Sequence, residues 1–222
     1  MSSMTESSAD KPTGYYANPR KDILRLIPLD VRSLLDVGCG EGVLARAAKD
    51  RCSLKFVAGI ELFGPAAAKA REVLDDVRQM DLERADLPYG DDQFDCIVCA
   101  DVLEHLQDPW AALRKLRRVL GSEGVLVASI PNLANLGVVK KILRDRFEYE
   151  SSGVLDRTHL RFFTLHTIRA MFAECGFEIV TIERKRRRSF FHRHPHIWSF
   201  GYIREGGVSS FSIVARKLRG EA

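Results

Sequence analysis

The chain has 222 residues, of which 45% are apolar, and carries a formal charge of +4. That length supports one full hydrophobic core, and no two halves resemble each other, so a single domain is expected. No apolar run approaches membrane-spanning length and the Ser/Thr-rich opening has no hydrophobic stretch, so neither a spanning helix nor a secretory leader is expected and a cytoplasmic location is. The positive charge is local: Arg184 to Arg193 holds six Lys/Arg and no acid. Such a stretch suits an anionic substrate, a phosphate-bearing lipid surface or RNA, or is simply a solvated strand end and loop. The five cysteines are an odd number, mostly in segments that read as buried, which points to reduced thiols. Cys96 and Cys99 lie in one apolar run, where period-2 geometry sends them to opposite faces and away from a shared metal.

Strand and helix signals alternate along the chain, the pattern of a mostly parallel sheet covered on both faces. The expected order is a tail over residues 1–12, a strand Ser33–Val37, a helix Glu41–Lys49, a strand Leu54–Ile60 and a helix Gly64–Leu74. A short strand Val77–Met80 and a strand Phe94–Cys99 follow. Asp108-Pro109 then supplies a preferred cap and a preferred first residue to a helix with Trp110, Leu113, Leu116, Val119 and Leu120 at helical spacing. Val125–Ile130 reads as the fifth strand, closed by Pro131. After an irregular stretch, Thr164 opens a helix with Ile168, Met171, Phe172 and Cys175 on one side, ending at Gly176. Phe177–Ile182 and Ser209–Ala215 are the last strands. With no helix between them, one of the two is expected to run antiparallel at the sheet edge.

The first strand ends in Asp36 and runs into Gly38, Gly40 and Gly42. Glycines there let the backbone turn tightly and let a ligand approach main-chain atoms, so this junction is the expected cofactor corner. A dinucleotide fingerprint needs a third glycine where Val43 stands. Asp36 would also repel a pyrophosphate and favours a ligand with positive charge. Glu61 ends the second strand, about 20 residues after the loop, a spacing shared with the ribose-binding acid of dehydrogenases. Asp81 ends the third strand and Ala100-Asp101 the fourth.

With these acids at successive strand ends, the segment Leu35-Asp36-Val37-Gly38-Cys39-Gly40-Glu41-Gly42 resembles the first motif of the class I S-adenosylmethionine-dependent methyltransferases. The resemblance extends over roughly residues 15 to 216. It implies a Rossmann-like doubly wound α/β fold, a mostly parallel seven-stranded sheet of order 3-2-1-4-5-7-6 with an antiparallel edge strand. It also implies S-adenosylmethionine as cofactor and S-adenosylhomocysteine as product. By this resemblance Asp36, Gly38 and Gly40 hold the methionine part, Glu61 the ribose hydroxyls, Asp81 and Leu82 the adenine, and Ala100 with Asp101 flank the methionine moiety. Tyr16 and Arg20 fall where the family often has a lid, and Arg20 suits the cofactor carboxylate.

The residues Ile130-Pro131-Asn132 and Leu155-Asp156-Arg157-Thr158-His159 to Thr164 are similar to a small-molecule branch that includes ubiquinone-pathway O-methyltransferases and bacterial glycan or secondary-metabolism enzymes. On this reading a domain over 13–218 carries an acceptor-site insertion, 131–163, and a basic loop, 184–207. An insertion of about 30 residues is long for a compact α/β connection and is usually functional. His159 is the candidate general base or acceptor-orienting group, with Asp156 and Arg157 supporting it or fixing the loop. Asp101, Glu104 and His105 share a face if a helical turn follows the fourth strand; they could hold a divalent ion such as Mg²⁺, or act as a packing pair beside the site. His192, His194 and His196, with Phe190, Phe191 and Trp198, could bind phosphate and a ring, or be a solvated cluster.

The expected reaction is methyl transfer to an oxygen or nitrogen of a small-molecule acceptor, possibly anionic. An RNA or protein methyltransferase using the basic loop is the alternative, followed by an NAD-dependent oxidoreductase or a non-catalytic scaffold. Neither the Asp/Asn-Pro-Pro-aromatic tetrapeptide of amino-directed DNA methyltransferases nor a Pro-Cys nucleophile follows the fourth strand.

Overall fold

A computed structural model describes residues 19–186 and 205–218. The expected tail, Tyr16 and most of the basic loop, with His192, His194 and His196, lie outside the described residues. Seven strands form one sheet: β1 (Ser33–Val37), β2 (Phe56–Glu61), β3 (Asp76–Gln79), β4 (Phe94–Ala100), β5 (Leu120–Pro131), β6 (Phe177–Arg186) and β7 (Val208–Lys217). Their order is β3-β2-β1-β4-β5-β7-β6. The first five are parallel, and β7 runs antiparallel to both β5 and β6. This is the expected Rossmann-like doubly wound sheet.

Alternation along the strands fills two cores. Leu34, Val57, Cys96, Val98 and Val127 face α1 (Lys21–Leu24), α2 (Val43–Arg51) and α3 (Gly64–Ala70), which contribute Ile23, Leu44, Ala48, Ala67 and Ala70. Leu35, Ile97, Cys99, Ala128 and Ile213 face α4 (Pro109–Val119) and α6 (Leu165–Glu174), which contribute Leu113, Leu116, Ile168 and Phe172. Cys96 and Cys99 therefore sit in separate cores, and all five cysteines are free thiols. Burying one Leu or Ile fully is worth about 1.5–3 kcal/mol. A one-residue slip of β1 would exchange its two cores, so register and site geometry are fixed together.

Several boundaries differ from the sequence expectation for local reasons. The first long helix starts at Val43 instead of Glu41, because Gly42 takes φ 80° as its N-cap; Glu41 stays in the loop and accepts from Lys69 Nζ at 2.7 Å. α3 stops at Ala70 instead of reaching Leu74. Asp75, just beyond, accepts from Val57 N at 2.7 Å and Lys49 Nζ at 2.6 Å, which draws the chain into β3. β5 begins at Leu120, ahead of its apolar run, because Leu120 pairs with Phe94 before a register shift.

The cap read at Asp108 is present, and the helix start read at Thr164 is also capped. Asp108 Oδ1 accepts from Ala111 N at 2.9 Å, and Thr164 and Thr167 form a reciprocal capping box. The insertion holds a short α5 (Leu136–Ile142). Its ends meet where Leu133 N donates to Phe163 O at 2.7 Å. Fully buried Asn132 donates from Nδ2 to the Glu205 and Val208 carbonyls at 3.0 Å, tying the insertion to β7. Among the described residues no helix is long and apolar enough to cross a membrane.

Candidate active site

β1 is flanked by β2 on one side and β4 on the other, so the chain reverses its winding there and the carboxyl ends of these strands border an open crevice. Gly38, Gly40 and Gly42 at its mouth have φ of 69°, 55° and 80°, a left-handed backbone in which other residues are strained. At Gly38 space is also limiting, because a Cβ would lie 2.8 Å from Val102 Cγ2. Glu61 fastens the loop to β2: its Oε2 accepts from Gly40 N and its Oε1 from Phe63 N, both at 2.8 Å. Asp36 is 2% exposed. Burial first, then the Glu61 carboxylate, pushes its pKa up to about 7 against the lowering influence of Arg20. A buried acid in this condition is stabilised by a cationic ligand.

Asp81 lies after β3, where Oδ1 accepts from Glu83 N at 2.9 Å and Oδ2 faces Arg84 Nε at 3.3 Å. Leu82 is buried beside it, and Lys115 Nζ holds this turn through the carbonyls of Leu82, Glu83 and Ala85 at 2.9–3.1 Å. Ala100 ends β4. Asp101 follows with φ 56°, and its carboxylate is engaged twice, by Arg20 Nη1 and by Ser129 Oγ, each at 2.5 Å. Arg20, at φ 40°, also bonds Asp22 Oδ1 at 3.1 Å, Asp22 Oδ2 at 3.2 Å and Ser129 Oγ at 3.0 Å. Arg20 is thus brought to the crevice, but onto Asp101.

Beyond Asp101 the chain makes a single 3₁₀ turn, Leu103–His105, which docks on the far end of the insertion. Leu160 N and Arg161 N both donate to the Glu104 carbonyl, at 2.8 and 3.0 Å, and His105 Nδ1 bonds Thr158 O at 3.0 Å. This brings His159 against His105, with ring centroids 4.8 Å apart and nearly perpendicular planes. His159 Nδ1 bonds Val154 O at 3.0 Å. Because a carbonyl only accepts, both Nδ1 atoms carry a proton. Glu104 is 1% exposed, and neither of its carboxylate oxygens has a hydrogen-bond partner among the described residues. Burial, then repulsion from Asp101, raises its pKa well above the carboxylate range. Asp156 shapes the loop by accepting from Thr158 N and Oγ1 at 2.9 and 2.7 Å.

The expected trio of Asp101, Glu104 and His105 is therefore divided. The structure groups Glu104 and His105 with His159, while the Asp101 carboxylate belongs to the Arg20–Ser129 network.

Residues 14–182 match the sequence model of the family described as methyltransferase domain. The chain belongs to the class I S-adenosylmethionine-dependent methyltransferases. Among curated relatives of this methyltransferase, the malonyl-[acyl-carrier protein] O-methyltransferase of Geobacter sulfurreducens is 29% identical over 192 residues, 84% of this chain and 70% of that protein. A ubiquinone biosynthesis O-methyltransferase of Pseudomonas paraeruginosa is 34% identical over 108 residues, 46% of this chain and 45% of the relative. A probable S-adenosylmethionine-dependent methyltransferase of Mycobacterium tuberculosis is 35% identical over 109 residues, 49% of this chain but only 39% of the relative. The chain thus spans less than half the length of the last two. In fold, it is similar to a Thermotoga maritima methyltransferase at TM-score 0.64 and 22% identity, covering 91% of this chain and 89% of that one. The [4+2]-cyclase SpnF has a similar fold at TM-score 0.60 and 23% identity, covering 90% and 80%; at such identity the likeness is one of fold alone.

S-adenosylmethionine is the family's cofactor, and the residues present fit it. A carboxylate whose pKa is raised by burial and then by its neighbour suits an ammonium group, the glycine mouth offers main-chain atoms, and a second carboxylate at the next strand end suits a diol. Sequence reasoning missed Ser129 and Asp22, which join Arg20 to Asp101. Ser129 is fully buried within an apolar strand run, and nothing in that run marks it.

Proposed function

We propose that this methyltransferase acts on an oxygen of a small-molecule acceptor, with Asp36, Gly38, Gly40, Glu61, Asp81, Leu82, Ala100 and Asp101 forming the cofactor side and His159 the acceptor side. When bound, S-adenosylmethionine supplies an activated methyl group on a sulfonium. The chain's own contribution is to hold and align: Asp36 would receive the cofactor's ammonium and Glu61 its hydroxyls, and Arg20 is assigned to its carboxylate from the family resemblance. Tyr16 is assigned to the same lid from the family resemblance. Alignment of two bound reactants is the largest resource available to such an enzyme.

The observation that carries the acceptor assignment is the seating of His159 on His105 and Glu104, beyond the end of β4 and directly after the cofactor strand. With Nδ1 held by the Val154 carbonyl, His159 is the side chain assigned to accept and orient the acceptor hydroxyl. The O-methyltransferase names of the two curated relatives support oxygen as the target. The insertion 131–163 forms the wall of this acceptor site.

The test is to incubate the enzyme with methyl-labelled S-adenosylmethionine and fractionated cell extract. Label should appear in the small-molecule fraction and not in that fraction with His159→Asn. Label confined to RNA or protein would overturn the acceptor assignment while leaving the family untouched.

A further inference from the structure

We propose that Asp22 is a positioning residue for the cofactor: it grips the Arg20 guanidinium along one edge and so presents the other edge to the carboxylate of S-adenosylmethionine. Asp22 acts through Arg20, so its role rests on the assignment of Arg20 to that carboxylate. No strand end or glycine turn marks it in the sequence.

A guanidinium is planar, and a carboxylate that takes two of its N–H groups fixes that plane. Asp22 takes the side edge: Arg20 Nε donates to Oδ1 at 3.1 Å and Nη2 to Oδ2 at 3.2 Å. The end edge then meets the carboxyl ends of β4 and β5, where Nη1 donates to Asp101 Oδ2 at 2.5 Å and Nη2 to Ser129 Oγ at 3.0 Å. That edge already receives a carboxylate, beside the crevice where ligands of such sheets bind. The backbone marks the same place. Arg20 has φ 40° and ψ 59° and Asp101 has φ 56°, left-handed conformations that non-glycine residues keep only where their surroundings over-determine them, and these gather at ligand clamps.

Asp22 is itself held in place. Ile23 beside it is fully buried, Lys185 Nζ on β6 donates to Asp22 Oδ2 at 3.3 Å, and Arg25 bonds Glu183 on the same strand. From α2, Arg51 Nη1 donates to the carbonyls of Leu24 and Ile27 at 2.6 and 2.8 Å. A helix as short as α1 is not stable on its own backbone bonds, so these ties make it a fixed platform. Burial alone would raise the pKa of Asp22, but the Arg20 bonds and then Lys185 hold it below the ordinary carboxylate value. Asp22 therefore stays ionised, and the fork keeps its charge-assisted strength. The consequence for binding is entropic: a guanidinium already fixed by Asp22 loses less rotamer freedom when it takes up a ligand carboxylate than a free one does. Asn at this position keeps the volume but sets an amide NH₂ against a group that has only donors, so the fork is lost.

The test compares two ligands that differ only at the carboxylate: S-adenosylhomocysteine and its decarboxylated analogue, which keeps the ammonium, ribose and adenine. Both are titrated by calorimetry at pH 8 into the full chain, Asp22→Asn, Arg20→Gln and the double variant, with thermal unfolding recorded for each. Asp22→Asn is expected to weaken S-adenosylhomocysteine by at least about threefold and the decarboxylated analogue by less than about twofold, and the double variant should bind S-adenosylhomocysteine no more weakly than Arg20→Gln. Unchanged S-adenosylhomocysteine affinity in folded Asp22→Asn, equal losses for the two ligands, or losses that add in the double variant would overturn the positioning role. Arg20→Gln separates the two readings: if it weakens both ligands equally, the assignment of Arg20 falls together with that of Asp22, and if it discriminates while Asp22→Asn does not, Asp22 alone falls. If Asp22→Asn does not fold, nitrogen-15 NMR of the wild-type chain decides. The Arg20 Nε–H signal, assigned with Arg20→Gln, should stay protected from exchange when S-adenosylhomocysteine binds, and the Arg20 Nη signals should shift with S-adenosylhomocysteine and not with the decarboxylated analogue. Loss of Nε–H protection on binding, or the same Nη shift with both ligands, would overturn the role.

Discussion

The two halves of this site are built on opposite principles. The cofactor half is local: each of its acids lies at or just beyond the carboxyl end of a strand, and the sheet brings those ends together because parallel strands share a direction. The acceptor half is assembled across the chain, from a 3₁₀ turn after β4 and a histidine more than fifty residues later, joined by backbone bonds from Leu160 and Arg161 to the Glu104 carbonyl. In the first half the scaffold sets the chemistry. In the second, a loop docked on the scaffold does, so substrate choice can change without disturbing cofactor binding.

Substitutions can break this division at either side. The largest loss is expected for Glu61→Ala, which removes both the charge suited to the ribose diol and the clasp on Gly40. Charge-assisted bonds of this kind are worth about 1.5–3 kcal/mol each, so loss of the pair to the diol should lower S-adenosylhomocysteine affinity by at least about a hundredfold, read by calorimetry. His159→Asn should lower turnover by about a hundredfold and leave S-adenosylhomocysteine affinity within a factor of two or so. A matching loss of cofactor affinity would show that the halves are one unit.

The pH dependence of cofactor binding sharpens the comparison further, because Asp36 belongs to the cofactor half. Asp36 in the free protein titrates near pH 7, above its usual 3.8. The free protein therefore holds an extra proton between about pH 4 and 7, and the contribution of this group to stability falls as pH rises through that window. Binding an ammonium needs the ionised acid, so S-adenosylhomocysteine affinity should weaken by up to about tenfold per unit below pH 7, with about one proton released on binding at pH 6. Calorimetry in buffers of different ionisation enthalpy reads that proton, and Asp36→Asn should abolish it.

Gly38→Ala tests the mouth itself. Its φ of 69° and the 2.8 Å approach to Val102 should cost about 1–3 kcal/mol of stability, seen as a lower unfolding midpoint. The smallest effect is expected for Arg20→Lys, which keeps a charge near Asp101 but loses the fork shared with Asp22 and Ser129. A cofactor affinity change of about threefold to tenfold is expected.

What was legible in the sequence follows the same division. The glycine turn, the acids at strand ends and the caps at Asp108 and Thr164 are short-range signals, and the sheet order came with the family they resemble. The partnership of Glu104 and His105 with His159 was hidden because it depends on how the insertion docks. Asp101 looked like a third member by spacing. It turns aside because its left-handed backbone and the Arg20–Ser129 pair commit its carboxylate elsewhere. Ser129 carries one hydroxyl in an apolar strand, and only its neighbours after folding give it meaning. The end of α3 at Ala70 likewise depends on Asp75 reaching the backbone of β2.

The most direct test of the central claim, that buried Asp36 and Glu61 at adjacent strand ends form the cofactor half independently of the acceptor loop, is calorimetric titration with S-adenosylhomocysteine of the wild-type chain, Asp36→Asn, Glu61→Ala and His159→Asn at pH 8. The account predicts tight one-to-one binding in the wild type and His159→Asn and a large loss in the two acid variants. Undiminished binding by folded Asp36→Asn and Glu61→Ala would contradict it.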